Sequence, residues 1–238
     1  MTTTTTIEPD YMTVNGYLIV PDAIPTADAI TLRDSITLRL SGIASDMSAN
    51  VRNLFDLAPE VRTLAESPAL RSLVEPVIGA DARPVRAILF DKTPDSNWKV
   101  PWHQDLSIAV RSRVDTPGYG PWSVKAGVVH VQPPVEILER MVTLRLHLDD
   151  CGPDNGQVRV IAGSHRLGKL PATEASRIGL ESASDTFDLP IGGILMMRPL
   201  LLHASSPSTA PSHRRIVHIE YASRDLPGEL DWYEAKSA

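Results

Sequence analysis

Two positions separate His103 from Asp105, about a hundred residues separate that pair from His203, and eleven more lead to Arg214. Two imidazoles and one carboxylate are the donor set of non-haem iron, which leaves coordination positions open for chemistry. Side chains alternate along an extended strand, so His103 and Asp105 project from one face and both reach one ion, while Gln104 points away. His203 follows the apolar run Leu200-Leu201-Leu202, which predicts a third donor at the end of another buried strand. A His-x-Asp pair alone occurs often by chance; the spaced histidine and arginine give it weight.

The same alternation orients Arg214. In the strand that follows, Arg214, Ile216 and His218 share one face, and Arg215, Val217, Ile219 and Tyr221 share the other. With the apolar set packed against a helical layer, Arg214 faces inward, where a planar guanidinium clamps a carboxylate through two parallel hydrogen bonds. The run Met141 to Leu148 divides likewise, Val142, Leu144, Leu146 and Leu148 against Thr143, Arg145 and His147. Two strands with polar inner faces imply a wet cavity, with Thr143 and Arg145 on its wall.

The elements that must position these residues follow from local pattern. Tyr17 to Val20 reads as a strand; Thr26 can cap a helix to about Leu40, with Ile30 and Leu38 on its buried face. Ser67-Pro68 and Gly79 bracket another helix, so residues of about 26–79 are mostly helical. From about residue 83 to 222, β-rich runs (Val85 to Phe90, Met141 to Leu148, Gln157 to Ile161, Ile194 to Arg198, Arg215 to Tyr221) are separated by turn residues. Strands after helices predict a mainly β fold with flanking helices, an antiparallel sandwich or jelly roll. Residues 108–139, rich in Pro, Gly and Val, read as a long loop of the lid or binding-loop kind. Residues 1–10, with the Thr2 to Thr6 run, read as a disordered end, and 11–238 as one domain.

A net charge of -6 and a pI near 5.6 argue against a nucleic-acid surface and favour a small-molecule partner. A lone cysteine, Cys151, excludes an internal disulfide and fits a reducing compartment. No apolar run spans a membrane and the first residues lack a secretory pattern, so the expectation is a cytoplasmic monomer or homodimer away from membranes.

The motifs Lys92-Thr93-Pro94-Asp95-Ser96 leading into Trp102-His103-Gln104-Asp105, then Asp154-Asn155-Gly156-Gln157, Gly163-Ser164-His165-Arg166, and His203-Ala204-Ser205 with Arg214 carry a resemblance. In that order, over roughly Val85 to Tyr221, they resemble the phytanoyl-CoA dioxygenase-like family of iron(II)- and 2-oxoglutarate-dependent oxygenases. The resemblance implies a double-stranded β-helix of the cupin-like jelly-roll form, with His103, Asp105 and His203 as iron ligands and Arg214 on the distal carboxylate of 2-oxoglutarate. It also implies consumption of O2, release of succinate and CO2, and hydroxylation of a C–H bond in an amino acid, another carboxylic acid or a natural-product intermediate. The carboxylate of Asp105 argues against halogenation, since related halogenases lack that ligand. Desaturation or cyclisation with the same cofactors, and a non-catalytic metal-binding jelly roll, are the alternatives.

Thr143 and Arg145 are expected to touch the cosubstrate or substrate. Trp102, Trp122, Arg111, His130 and Gln132 are candidate substrate contacts, and Arg111, Arg113 or Lys125 is expected to pair with an anionic group on the substrate. Trp98 is expected to pack loop against core, and Lys92 to lie at the surface. Asn155-Gly156 reads as a turn, His165 as structural, and His147 and His218 as core histidines.

Overall fold

A computed structural model of the chain describes residues 9–41, 50–210 and 212–235. The expected disordered end falls mostly outside these residues; Pro9–Asn15 forms a short helix, α1. In chain order there follow β1 (Tyr17–Val20), α2 (Thr26–Leu40), β2 (Asn50–Val51), α3 (Leu54–Leu57), α4 (Pro59–Ala65), α5 (Pro68–Ile78), β3 (Arg83–Lys92) and β4 (Val100–His103). Then come β5 (Ile108–Val110), β6 (Trp122–Lys125), β7 (Val128–Val131), α6 (Val135–Leu138), β8 (Met141–His147), β9 (Val158–Val160) and α7 (Ala172–Glu181). The last strands are β10 (Asp185–Thr186), β11 (Ile194–Met197), β12 (His203–Ser205) and β13 (Arg214–Ala222).

Helix α5 starts as its sequence predicts: Ser67 Oγ accepts from Leu70 N at 3.4 Å, Pro68 takes the first turn, and Gly79, at φ 99°, ends it. Helix α2 has the predicted span but different details. Its cap is Pro25, so Thr26 is already helical, and the buried stripe is Ala29, Leu32 and Ile36, while Ile30 and Leu38 are exposed. Helical period explains the difference, because positions 29, 32 and 36 lie on one face and 30 and 38 fall beside it.

Antiparallel pairing builds a six-stranded sheet, β1-β11-β8-β13-β3-β2, and a four-stranded sheet, β10-β9-β12-β4. Leu144, Leu146, Val217, Ile219 and Tyr221 leave the large sheet on its outer side and pack against Leu32 and Ile36 of α2, Leu54 of α3, Val61 of α4 and Leu70 and Val74 of α5. Each such side chain, fully buried, contributes roughly 1.5–3 kcal/mol, and Tyr221 satisfies its hydroxyl by donating to Ala65 O at 2.9 Å. On the inner side, Tyr17, Leu195 and Met197 of the large sheet meet Val158 and Val160 of the small one. The result is the jelly roll expected from sequence.

Residues 108–139 are not a loop. They form a three-stranded antiparallel sheet, β5-β7-β6, followed by α6. The β6–β7 hairpin turns on Ala126 (φ 50°) and Gly127 (φ 77°), between the paired residues Lys125 and Val128. Two central residues at positive φ match the twist of the flanking strands, but an alanine in the first place hides the usual turn signature. One face of this sheet, with Ile108, Val110, Val131 and Trp122, packs on a second apolar cluster around Leu138, Leu230 and Trp232. Among the described residues no helix is long and apolar enough to cross a membrane.

Candidate metal centre and its cavity

His103, the last residue of β4, pairs directly with His203, the first residue of β12. His203 therefore opens a strand rather than ending one; the Leu200-Leu201-Leu202 run is the buried turn that leads into it. Directly opposed residues of an antiparallel pair project to the same side, and the two rings lie 4.1 Å apart, centroid to centroid. Backbone carbonyls occupy both Nδ1 atoms. His103 Nδ1 lies 2.9 Å from Pro101 O and 3.1 Å from His203 O, and His203 Nδ1 lies 3.0 Å from Leu201 O. A carbonyl accepts only from N–H, so the proton sits on Nδ1 and each Nε2 presents a lone pair.

Those two Nε2 atoms face Asp105, which lies just past the end of β4 with its amide donating to Pro199 O at 2.9 Å. Its Oδ1 is 3.7 Å from His103 Nε2 and its Oδ2 is 3.7 Å from His203 Nε2, both beyond hydrogen-bonding distance. Asp105 Oδ2 is buried and has no hydrogen-bond partner among the described residues. Gln104 points away, as alternation predicts, and clamps Gly168 O, Leu200 O and Leu170 N at 2.7–2.8 Å. Burial works against the Asp105 carboxylate, but the charge or potential charge of His203, His218, His103 and Arg145 outweighs it and holds the group well below the usual carboxylate range. Burial pushes His203 down to about 3, against the pull of Asp105, which keeps the ring in its neutral, ligating form. Three donors within 4.8 Å of one another, two of them neutral imidazoles and the third an orphaned carboxylate oxygen, fit a divalent ion.

The inner face of the large sheet carries the rest of the site in rows set by register. Lys92 stands beside Arg214; Phe90 beside Ile216 and His147; Ile88 beside His218 and Arg145; Arg86 beside Glu220 and Thr143. A cavity of about 510 Å³ runs along these rows and reaches His103, Asp105 and His203. In its middle, Arg145 Nη1 donates to His218 Nδ1 at 3.0 Å, His218 Nε2 lies 3.4 Å from Glu220 Oε1, and Arg86 Nη1 donates to the same oxygen at 3.0 Å. Arg145 and His218 are thus cavity residues. Thr143 faces the same way but opens onto a small adjoining hollow with Asp105 and Glu220.

At one end Arg214 is buried. Its Nη1 donates to Gly156 O and its Nε has no partner among the described residues. Lys92, expected at the surface, is instead 1% exposed, with Nζ donating to Ser205 Oγ at 3.1 Å and Ser206 O at 2.6 Å. The strand alternation that turns Arg86, Ile88 and Phe90 inward carries Lys92 with them. Burial, aided by Arg214 and Arg145, lowers its amine to about 8. Asn155-Gly156 is the expected turn, but it also shapes this end: Gly156 adopts φ 72°, and a Cβ there would stand 2.6 Å from Ser206 O.

The candidate substrate contacts separate. Gln132 lines the cavity, and so do Trp98, expected to pack elsewhere, and Lys125. His130 shares the face of β7 that follows Lys125 in register but is buried behind the wall, its Nδ1 on Val128 O at 2.9 Å. Trp102 lies outside: it precedes His103 on a strand, so its ring projects to the opposite side, against Gly179 of α7, and under Arg159. Trp122 packs in the second cluster under Arg113, which pairs with Asp115. Arg111 is held by the C-terminal segment, through Trp232 O, Ala235 O and Asp231. Arg52, Arg86 and Glu220 line the cavity and escaped the sequence reading; the inward parity of Arg214 and His218, extended one step, reaches Glu220.

No curated protein matches this sequence. Among solved structures, AviO1 from Streptomyces viridochromogenes Tue57 is similar at 25% identity and a TM-score of 0.66, over 92% of this chain and 95% of that one. The non-heme alpha-ketoglutarate-dependent carbocyclase SnoK from nogalamycin biosynthesis shares the fold at 14% identity and a TM-score of 0.71, over 92% and 85%. EctD from S. alaskensis, solved with 2-oxoglutarate and 5-hydroxyectoine, does so at 16% identity and a TM-score of 0.69, over 94% and 78%. The family model described as phytanoyl-CoA dioxygenase matches residues 12–216, a span that holds the jelly roll up to the start of β13, the histidine-carboxylate triad and the buried arginine. The chain belongs to the phytanoyl-CoA dioxygenase family of iron- and 2-oxoglutarate-dependent oxygenases.

Proposed function

We propose that the chain hydroxylates an unactivated C–H bond of a small molecule, using iron(II), 2-oxoglutarate and O2 and releasing succinate and CO2. The observation that carries this reading is the convergence of His103 Nε2, His203 Nε2 and the orphaned Asp105 oxygen on one point in a cavity that also holds Arg214. In it, His103, Asp105 and His203 hold the iron, and Arg214 binds the distal carboxylate of 2-oxoglutarate. When bound, iron and 2-oxoglutarate would let dioxygen act as the oxidant, one oxygen atom entering succinate as CO2 leaves and the other being delivered to the C–H bond.

The chain's own residues prepare the site. Lys92 adds a second positive charge beside Arg214, suited to a dianion. Arg145, by donating to His218 Nδ1, leaves the His218 Nε2 proton for Glu220 and so fixes that ring's tautomer. Ile88, Phe90 and Val158 give the cavity apolar wall that excludes water from the reacting atoms. Residues 108–139 serve in this reading as the lid of a single oxygenase domain.

Anaerobic addition of iron(II) and 2-oxoglutarate is expected to produce a visible charge-transfer band that oxygen discharges with release of succinate. No band, or a band that oxygen leaves unchanged when substrate is present, would contradict the proposal. A product that gains one oxygen atom distinguishes hydroxylation from desaturation or cyclisation, which remove hydrogen instead.

A further inference from the structure

The far end of the cavity from Arg214 carries a second group of cations. Lys92 and Arg86 are six positions apart on β3, which is about 20 Å along an extended strand. Arg86 there is 7% exposed and paired with Glu220. Arg52, which follows the short strand β2 on the edge of β3, and Lys125, at the tip of the β6–β7 hairpin, line the same cavity. Among the described residues neither has a hydrogen-bonding or ion-pairing partner. Each lies close enough to the others to feel their charge: Arg86 acts on Arg52, and both act on Lys125, with Glu220 opposing at each and Asp105 opposing at Lys125.

Charge balance makes this end informative. Six cationic side chains and two carboxylates, Asp105 and Glu220, line the cavity of a protein whose net charge is -6. An iron(II) ion and a 2-oxoglutarate dianion cancel each other, so the cavity keeps an excess of positive charge when both are present. Arg214 is committed to the cosubstrate, and Glu220, paired with Arg86, is one carboxylate shared among Arg86, Arg52 and Lys125. Unpaired cations gathered at the mouth of a cavity repel one another, and an incoming anion relieves that repulsion.

We propose that the substrate is an anionic small molecule whose carboxylate or phosphate is held at the cavity mouth by Arg52 and Lys125, with Arg86 behind them. This inference rests on the proposed function and adds the substrate class to it. Arg52 supplies a planar fork that takes two oxygens of one oxyanion, and Lys125 a point charge from a separate element. Arg86, fixed by Glu220, contributes field rather than a free donor. Gln132, just past β7 at the end of the hairpin away from Lys125, also lines the cavity and is placed to hydrogen-bond a neutral part of the molecule.

The test uses the full chain saturated with 2-oxoglutarate and a redox-inert divalent metal, into which inorganic phosphate, and separately acetate, is titrated calorimetrically. One of the two is expected to bind with millimolar affinity, and the tighter one names the oxyanion. Binding should weaken at least ten-fold in Arg52→Gln and in Lys125→Glu and stay unchanged in Lys169→Gln, an exposed lysine outside the cavity. Absence of binding in the parent protein, or equal binding in all variants, overturns the inference. The preceding 2-oxoglutarate titration on the same sample reports on the proposed function: its failure counts against that reading, whereas failure of the second titration alone counts against the anionic substrate.

Discussion

The two ends of the cavity use the same charge in opposite surroundings. Lys92 and Arg214 stand side by side, 1% and 2% exposed, with their donors aimed at backbone carbonyls and a serine. Arg52 and Lys125 stand on separate elements, half-buried and exposed, without partners among the described residues. Buried positive charge is costly unless an anion always completes it, so the deep end suits one invariant ligand. Solvent shares the burden at the open end, which lets its residues vary without harm to the fold. In the proposed reading the cosubstrate takes the first end and the anionic substrate the second.

Breaking the seam between the ends is expected to have the largest effect. Arg86→Met leaves the buried Glu220 carboxylate with His218 as its one remaining side-chain partner among the described residues and should destabilise the fold by about 3 kcal/mol in a urea titration. Adding Glu220→Leu should return most of that loss; no recovery would show that Arg86 acts through packing instead. Next in size is Arg214→Leu. It should weaken 2-oxoglutarate binding by about 2–4 kcal/mol and leave metal affinity and the phosphate or acetate titration nearly unchanged. Equal losses in all three would erase the distinction between the ends.

Proton linkage gives a smaller effect with a definite sign. Lys92 is lowered to about 8, so it is charged below that pH and attracts the cosubstrate, and it is neutral above. Affinity for 2-oxoglutarate should therefore fall, up to about ten-fold, as pH rises through 8. The fall should vanish in Lys92→Met; a wild-type profile flat from pH 7 to 9 would refute the linkage. Smallest is the stability cost at the open end, where Lys125→Glu should shift unfolding by less than about 0.5 kcal/mol. Its effect on anion binding should also shrink with added salt.

The contrast also explains what could be read from sequence. Arg214 and Arg145 lie on the long strands β13 and β8, whose two-residue period shows their inward parity in the sequence, and the same period extended to β3 reaches Lys92; the triad sits on and beside the short strands β4 and β12, where the His-x-Asp spacing rather than strand period marks it. Trp102 departs from its expected place by the same rule, since a residue next to an inward His103 on a strand must face outward. The open end is assembled from β2, β3 and the β6–β7 hairpin, which only tertiary contacts bring together. Arg52 has no motif around it, and the hairpin turns on Ala126-Gly127 rather than a residue pair that announces a turn. Arg111 and Trp122 were drawn toward the site by their sequence neighbourhood, whereas the C-terminal segment and the second apolar cluster claim them.

Both histidines of the triad are steadied by main-chain oxygens alone, from Pro101, Leu201 and His203 itself. Carbonyl oxygens survive almost any substitution, so the orientation of the two rings is protected from mutation elsewhere in the chain. Among the described residues the Asp105 carboxylate has no such brace, and its Oδ2 has no hydrogen-bond partner. Evolution can therefore edit this centre at one address: changing residue 105 alters what completes the metal's coordination while the two-histidine half stays assembled. The site is in that sense half heirloom and half interchangeable part.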